Sequence, residues 1–131
     1  MKEDWFSPLT TCMLFINIYL LCTVTYFVIG GIHLTGVLAI NYLLVLTGHV
    51  AFVLYCIMAL LILSKLSRKR RLLLTVSYLS MAFGLYRALE ESLSTYSSWM
   101  SGRDFGKGVL EVMIYLLISL HAWFASKISV D

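Results

Sequence analysis

The stretch WFSPLTTCMLFINIYLLCTVTYFVIGGIHLTGVLAINYLLVLTGHVAFVLYCIMALLILS, Trp5 to Ser64, contains no Asp, Glu, Lys or Arg. Its 60 residues are about three times the ~20 that one helix needs to cross a ~30 Å hydrocarbon core, so at least two crossings fit within it. The whole chain agrees: 60% apolar residues, a mean hydropathy of +0.89 and only 13% charged residues leave too little polar surface to cover a soluble globule. None of the apolar runs alternates with period two, and open sheet edges do not face lipid. The expected fold is therefore all-α, an integral membrane protein forming one membrane domain over residues 1–131.

The N-terminal segment carries Lys2 against Glu3 and Asp4, and no small-residue cleavage site ends the apolar run that follows. The first helix is expected to be retained rather than removed as a signal peptide. The three cysteines, Cys12, Cys22 and Cys56, are odd in number and lie within apolar runs, so they read as small hydrophobes and not as a disulfide framework.

KLSRKRR, Lys65 to Arg71, divides the chain into two pairs of apolar segments. The first pair turns at GGIHLTG, Gly30 to Gly36, and the second at SSWMSGRDFGKG, Ser97 to Gly108. Four transmembrane helices are expected at about 9–32, 37–64, 72–96 and 109–126. Lys2, Lys127 and the five basic residues Lys65, Arg68, Lys69, Arg70 and Arg71 then share one side, seven in all, against Arg87, Arg103 and Lys107 on the other. By the positive-inside rule both termini and KLSRKRR are cytoplasmic, with the basic cluster a topological anchor that also suits anionic headgroups. No nucleic-acid partner is expected.

Sequence offers little for catalysis: there is no HExxH, no Ser-His-Asp or Cys-His set at a common depth, and no phosphate-binding glycine loop. Neither an enzyme activity nor a cofactor is expected. Paired histidines on a bundle can hold haem, but the helix limits above set His49 and His121 roughly 15 Å apart in height. His33 reads as interfacial, His121 as an end-of-helix residue near Trp123, and His49 as either a hydrogen-bonded core group or part of a proton or pore pathway.

The packing signals are small residues: Ser80 and Gly84 on helix three and Gly48 and Ala51 on helix two, which suit either contacts within the bundle or self-association. Helix three also carries Arg87, Glu90, Glu91 and Ser94 on one face where a ~20-residue crossing that began at Leu72 should end. Arg87 reaches Glu90 at i+3 and Glu91 at i+4, so the helix becomes amphipathic as it leaves the membrane.

From about Val45 to Lys127 the chain resembles a small three-helix phage holin. The resemblance is carried by the basic loop LILSKLSRKRR, the helix ending LYRALEE, the loop SGRDFGKG and the last helix opening GVLEVMIYLLISLHAW, with Glu111 and Val112 as its Glu-Val step. The additional N-terminal helix departs from the pattern. The resemblance implies a non-catalytic protein of the bacterial cytoplasmic membrane that oligomerises and permeabilises it for host lysis. Arg87, Glu90, Glu91, Ser94, Glu111 and His49 would then supply the polar face. The alternative is a membrane interaction protein, either an accessory subunit or an exclusion or immunity factor contacting another membrane protein, with Trp99 and Phe105 as contact anchors or simply interfacial aromatics. A small transporter is less favoured, since no inverted repeat or broken helix is evident.

Overall fold

The computed structural model describes residues 5–30 and 37–128. Lys2, His33 and the turn from Gly31 to Gly36 lie outside them. Every regular element among the described residues is helical: α1 Phe6–Gly30, α2 Val37–Leu63, α3 Arg70–Met100 and α4 Gly106–Ala125. Each is long and apolar enough to span a bilayer, and the chain is a multi-pass membrane protein.

Four helix ends fall beyond the limits expected from hydropathy, the starts of α1, α3 and α4 and the end of α3, and two of the differences have a clear local cause. In α1, Pro8 sits in the first turn, where its missing N–H has no intrahelical partner to lose, so the helix starts at Phe6 and not at Leu9. In α3, the Ser- and Thr-containing tail to Met100 keeps its helical hydrogen bonds although it is too polar for hydrocarbon; 31 residues make a rod of about 46 Å.

The ends of α2 and α3 close in the same way. Leu66 N–H bonds to Leu61 O and Lys65 N–H to Ile62 O, and likewise Arg103 N–H bonds to Ser98 O and Gly102 N–H to Trp99 O. Both are Schellman caps that need one left-handed residue. Gly102 supplies it at φ 73°, whereas the first cap places Lys65 there at φ 61°, a conformation that costs a non-glycine residue about 1–2 kcal/mol.

The helices pack as two hairpins, α1 on α2 and α3 on α4, with α2 also lying against α3 and α4. Small residues set the close approaches. A Cβ at Gly84 would fall on the Ser119 hydroxyl and 3.1 Å from the Tyr115 carbonyl oxygen, and one at Gly48 would stand 2.8 Å from the Phe83 ring. Ala51 and Ser80 are buried as well. Gly48, Ser80 and Gly84 are thus used inside the bundle. The core is built on Phe52, Tyr55, Cys56 and Ala59 of α2, Leu73 of α3 and Ile118 and Ala122 of α4.

At the other end of the bundle, Arg70 Nε–H donates to Ile128 O at 3.3 Å. That bond holds the basic loop beside the end of α4. KLSRKRR and Lys127 therefore share one face of the molecule, whichever side of the membrane it occupies.

Candidate functional site

Polar side chains concentrate where α3 and α4 run towards the loop that joins them. Arg87 projects from α3 one turn before two acids, and its two terminal nitrogens divide between them: Nη1 pairs with Glu90 and Nη2 donates to Glu91 Oε1 at 2.8 Å. The Tyr86 hydroxyl donates to the second Glu90 oxygen at 3.0 Å. The guanidinium lies 5.1 Å from the centroid of the Tyr115 ring on α4, a cation–π distance. Only 15% of the Arg87 side chain is exposed, so this cluster is part of the packing and not a solvated fringe.

Tyr115 passes the network inwards. Its hydroxyl lies 2.8 Å from His49 Nε2, while His49 Nδ1 lies 2.8 Å from Val45 O. A carbonyl only accepts, so Nδ1 carries the proton and Nε2 accepts from Tyr115. His49 is fully buried and held between α2 and α4. Among the sequence-derived candidates, Arg87, Glu91 and Glu111 line one cleft, Glu90 pairs with Arg87 on the side of a neighbouring one, and His49 is joined through Tyr115. Ser94 is exposed and stays apart from the ion pairs.

The cleft opens between the second half of α1 and the α3–α4 hairpin. Thr23, Val24 and Phe27 form one wall, and Arg87, Glu91, Glu111 and Tyr115 the other, enclosing about 230 Å³. A neighbouring cleft of about 280 Å³ shares Arg87, Val24 and Phe27 and adds Glu90 and Asn41. Both exist because the buried side chains of α1, Phe6, Thr10, Met13 and Asn17, all lie in its first half. Glu111 completes the site from α4; its nearest cation, Lys107, is 3.9 Å away and 88% exposed.

Six residues further along both α2 and α4, about 9 Å by helical rise, the pairing recurs with the residue types exchanged. Tyr55 on α2 lies 3.0 Å from His121 Nδ1 on α4. The Thr10 hydroxyl donates to Phe6 O at 2.7 Å, so it accepts from His121 Nε2–H at 3.1 Å, leaving Nδ1 to accept from Tyr55. Phe6 stacks on the imidazole at 4.9 Å. His121 lies near the end of α4, as the sequence suggested, and is in addition a three-helix junction among α1, α2 and α4. Asn17, unmarked in the sequence reading, donates to Phe52 O at 3.3 Å and contacts Cys56 Sγ at 3.2 Å.

Sequence alone singled out His49 and the charged face but neither tyrosine. The available signal was spacing: His49 and Tyr55 are six apart, as are Tyr115 and His121, so two helices in parallel register match both pairs at once. Among the described residues, no three His, Cys, Asp or Glu side chains converge closely enough to hold a metal ion. Comparison of the chain with protein-family models, with curated proteins and with solved structures gives no match.

Proposed function

We propose that this protein acts without catalysis in the bacterial cytoplasmic membrane, with both termini inside, and makes that membrane permeable in the manner of a holin. The observation that carries the reading is the charged site: Arg87 shared between two adjoining clefts, one with Glu91 and Glu111 and the other with Glu90, with Tyr115 and His49 extending the polar path inwards. The charges sit at the edge of a ~30 Å core, and a polar path that continues inwards from such an edge through Tyr115 and His49 is the kind of feature that marks ion or water pathways. In an assembly of several copies the cleft between α1 and the α3–α4 hairpin would widen and its polar wall would line water. With Gly48, Ser80 and Gly84 engaged internally, self-association would use a lipid-facing side.

A second reading is an interaction protein that contacts another membrane protein. A different surface favours it: an apolar groove of about 430 Å³ beside the α3–α4 loop, lined by Tyr96, Trp99, Phe105 and Met113. Trp99 is 57% exposed there.

Induced expression in a bacterial host, with membrane potential and culture density followed over time, separates the two. Permeabilisation predicts normal growth, then abrupt depolarisation and arrest; harmless accumulation at high membrane levels would sink it. Protection of the host from an invading phage or toxin would support the contact reading. Glu90→Gln combined with Glu91→Gln leaves the guanidinium without its carboxylates, a loss of about 2 kcal/mol. The pair should shift the onset of depolarisation while leaving membrane insertion unchanged. A defect in insertion alone would count against a functional role for the face.

A further inference from the structure

The side of α3 turned away from α4 carries a regular apolar seam. Leu79, Ala82, Tyr86, Leu89, Leu93, Tyr96 and Met100 follow one another at alternating steps of three and four residues, and each is exposed. Gly84 and Ala88, both buried, lie on the opposite side of the helix, where Gly84 meets α4. A 3.5-residue spacing sustained in this way is the a and d pattern of a left-handed coiled coil. None of the seam positions is charged.

Within hydrocarbon such a seam needs no partner, because lipid chains cover it as well as a helix does. Its far end is different. A Cβ at Gly108, the third residue of α4, would fall on the Thr95 hydroxyl, and the 20 residues of α4 rise only about 30 Å, the thickness of one core. Leu93 stands about 33 Å along α3 from Arg71 and Met100 about 44 Å. The end of the seam thus leaves the core while Leu93, Tyr96 and Met100 stay at least 60% exposed. Ser92, Ser94, Thr95, Ser97 and Ser98 fill the neighbouring positions, so this stretch is an amphipathic helix whose apolar side has no cover among the described residues. Tyrosine suits the headgroup level, but Leu93 and Met100, about 10 Å apart along the axis, do not. An apolar stripe so placed marks a contact.

We propose that this seam binds a second copy of the chain, with the two α3 helices parallel and each seam residue meeting its own equivalent across a two-fold axis along the membrane normal. Copies inserted the same way present α3 in parallel and at equal height, which is what a two-fold contact requires. No like charges meet: the seam has none, and Glu90, beside Leu89, is held on the flank by Arg87 and Tyr86. Ala82, the smallest of the seam side chains, permits close approach in hydrocarbon. Leu93, Tyr96 and Met100 drive association beyond it, where water makes apolar burial favourable. The contact names the side that self-association would use under the proposed function, yet it stands whether or not the protein permeabilises a membrane.

The test is oxidative cross-linking of the full chain in membranes, with Cys12 and Cys22 changed to serine and the buried Cys56 kept. A disulfide needs Cα atoms within about 7 Å, which seam positions meet across the axis. Leu93→Cys and Met100→Cys should each give a linked dimer, whereas Ser94→Cys, exposed but one position off the seam, should not. Self-association of the purified chain, read as energy transfer between labelled copies in detergent, supplies the second measurement. Leu93→Glu sets two carboxylates against each other across the axis and should weaken pairing about tenfold, or about 1.4 kcal/mol. Ser94→Glu adds the same charge off the seam and should leave pairing unchanged. Cross-linking that is equal at positions 93 and 94 would overturn the proposal. So would a chain that stays monomeric at every protein-to-detergent ratio, a result that would assign the seam to lipid or to a different protein. Neither readout involves membrane potential, so the pairing stands or falls separately from permeabilisation.

Discussion

Tyr115 and His49 form the hydrogen bond on which the inner end of the charged site depends, and the geometry assigns its direction: phenol to imidazole at 2.8 Å, with the opposite ring nitrogen committed to Val45 O. In lipid such a bond matters less through its own strength than through the lack of water to replace it, and measured interhelical couplings are still only about 0.6–1.7 kcal/mol. We expect Tyr115→Phe and His49→Phe each to destabilise the bundle by about 1–2 kcal/mol. The double variant should recover about 1 kcal/mol relative to the sum, measured by reversible unfolding in mixed micelles. Strict additivity would mean that the two side chains do not communicate. His49 stood out in the sequence because an ionisable residue in an uncharged 60-residue run is conspicuous. Tyr115 did not, since one tyrosine among eight in an aromatic-rich chain gains meaning only from the helix it faces. His121 lies near the end of α4, as its position in the sequence suggested, but distance from a helix end says nothing about which neighbours cover the ring.

α3 is the element in which sequence and structure are most informative together. Its apolar run from Leu72 to Tyr86 is too short for a full crossing, and the face of Arg87, Glu90 and Glu91 was legible from i, i+3, i+4 spacing alone. What spacing could not give was the identity of the opposing surface. The same helix presents Gly84 to α4, where the two helices approach closely. A methyl group there meets the Ser119 hydroxyl and stands 3.1 Å from the Tyr115 carbonyl oxygen. Backbone cannot rotate away as a side chain can, so Gly84→Ala should force the hairpin apart and lower stability by about 1–3 kcal/mol. Adding Ser119→Ala removes the hydroxyl but not the carbonyl, and partial rescue is the expected result. Full rescue would place the whole conflict on the side chain, and no loss in Gly84→Ala would mean that α3 and α4 have slack. Because Tyr115 is part of both this contact and the charged site, displacing α4 here should also weaken its contact with Arg87.

At the scale of the molecule, four crossings follow from four apolar segments separated by polar turns, which is why the count was readable without coordinates. Which helices touch depends on small residues and buried polar groups distributed over all four, and no single segment encodes that. The basic end is a further property of the whole chain. Arg70 bonded to Ile128 O brings KLSRKRR next to Lys127, concentrating six of the ten Lys and Arg residues on one face. Translocating such a face is opposed at about 1 kcal/mol per basic residue by attraction to the anionic cytoplasmic leaflet alone. The orientation with this face inside can be tested by placing single cysteines at Lys69→Cys or Ser101→Cys in a chain with Cys12 and Cys22 changed to serine; Cys56 is buried and stays. An impermeant maleimide applied to intact spheroplasts should label position 101 and reach position 69 only after the membrane is broken. The reverse pattern would invert the topology and with it the leaflet that the Arg87 cleft faces. Neutralising Arg68, Lys69 and Arg71 with glutamine should produce both patterns in one population, because Lys2, Lys65, Arg70 and Lys127 then stand against Arg87, Arg103 and Lys107, four to three.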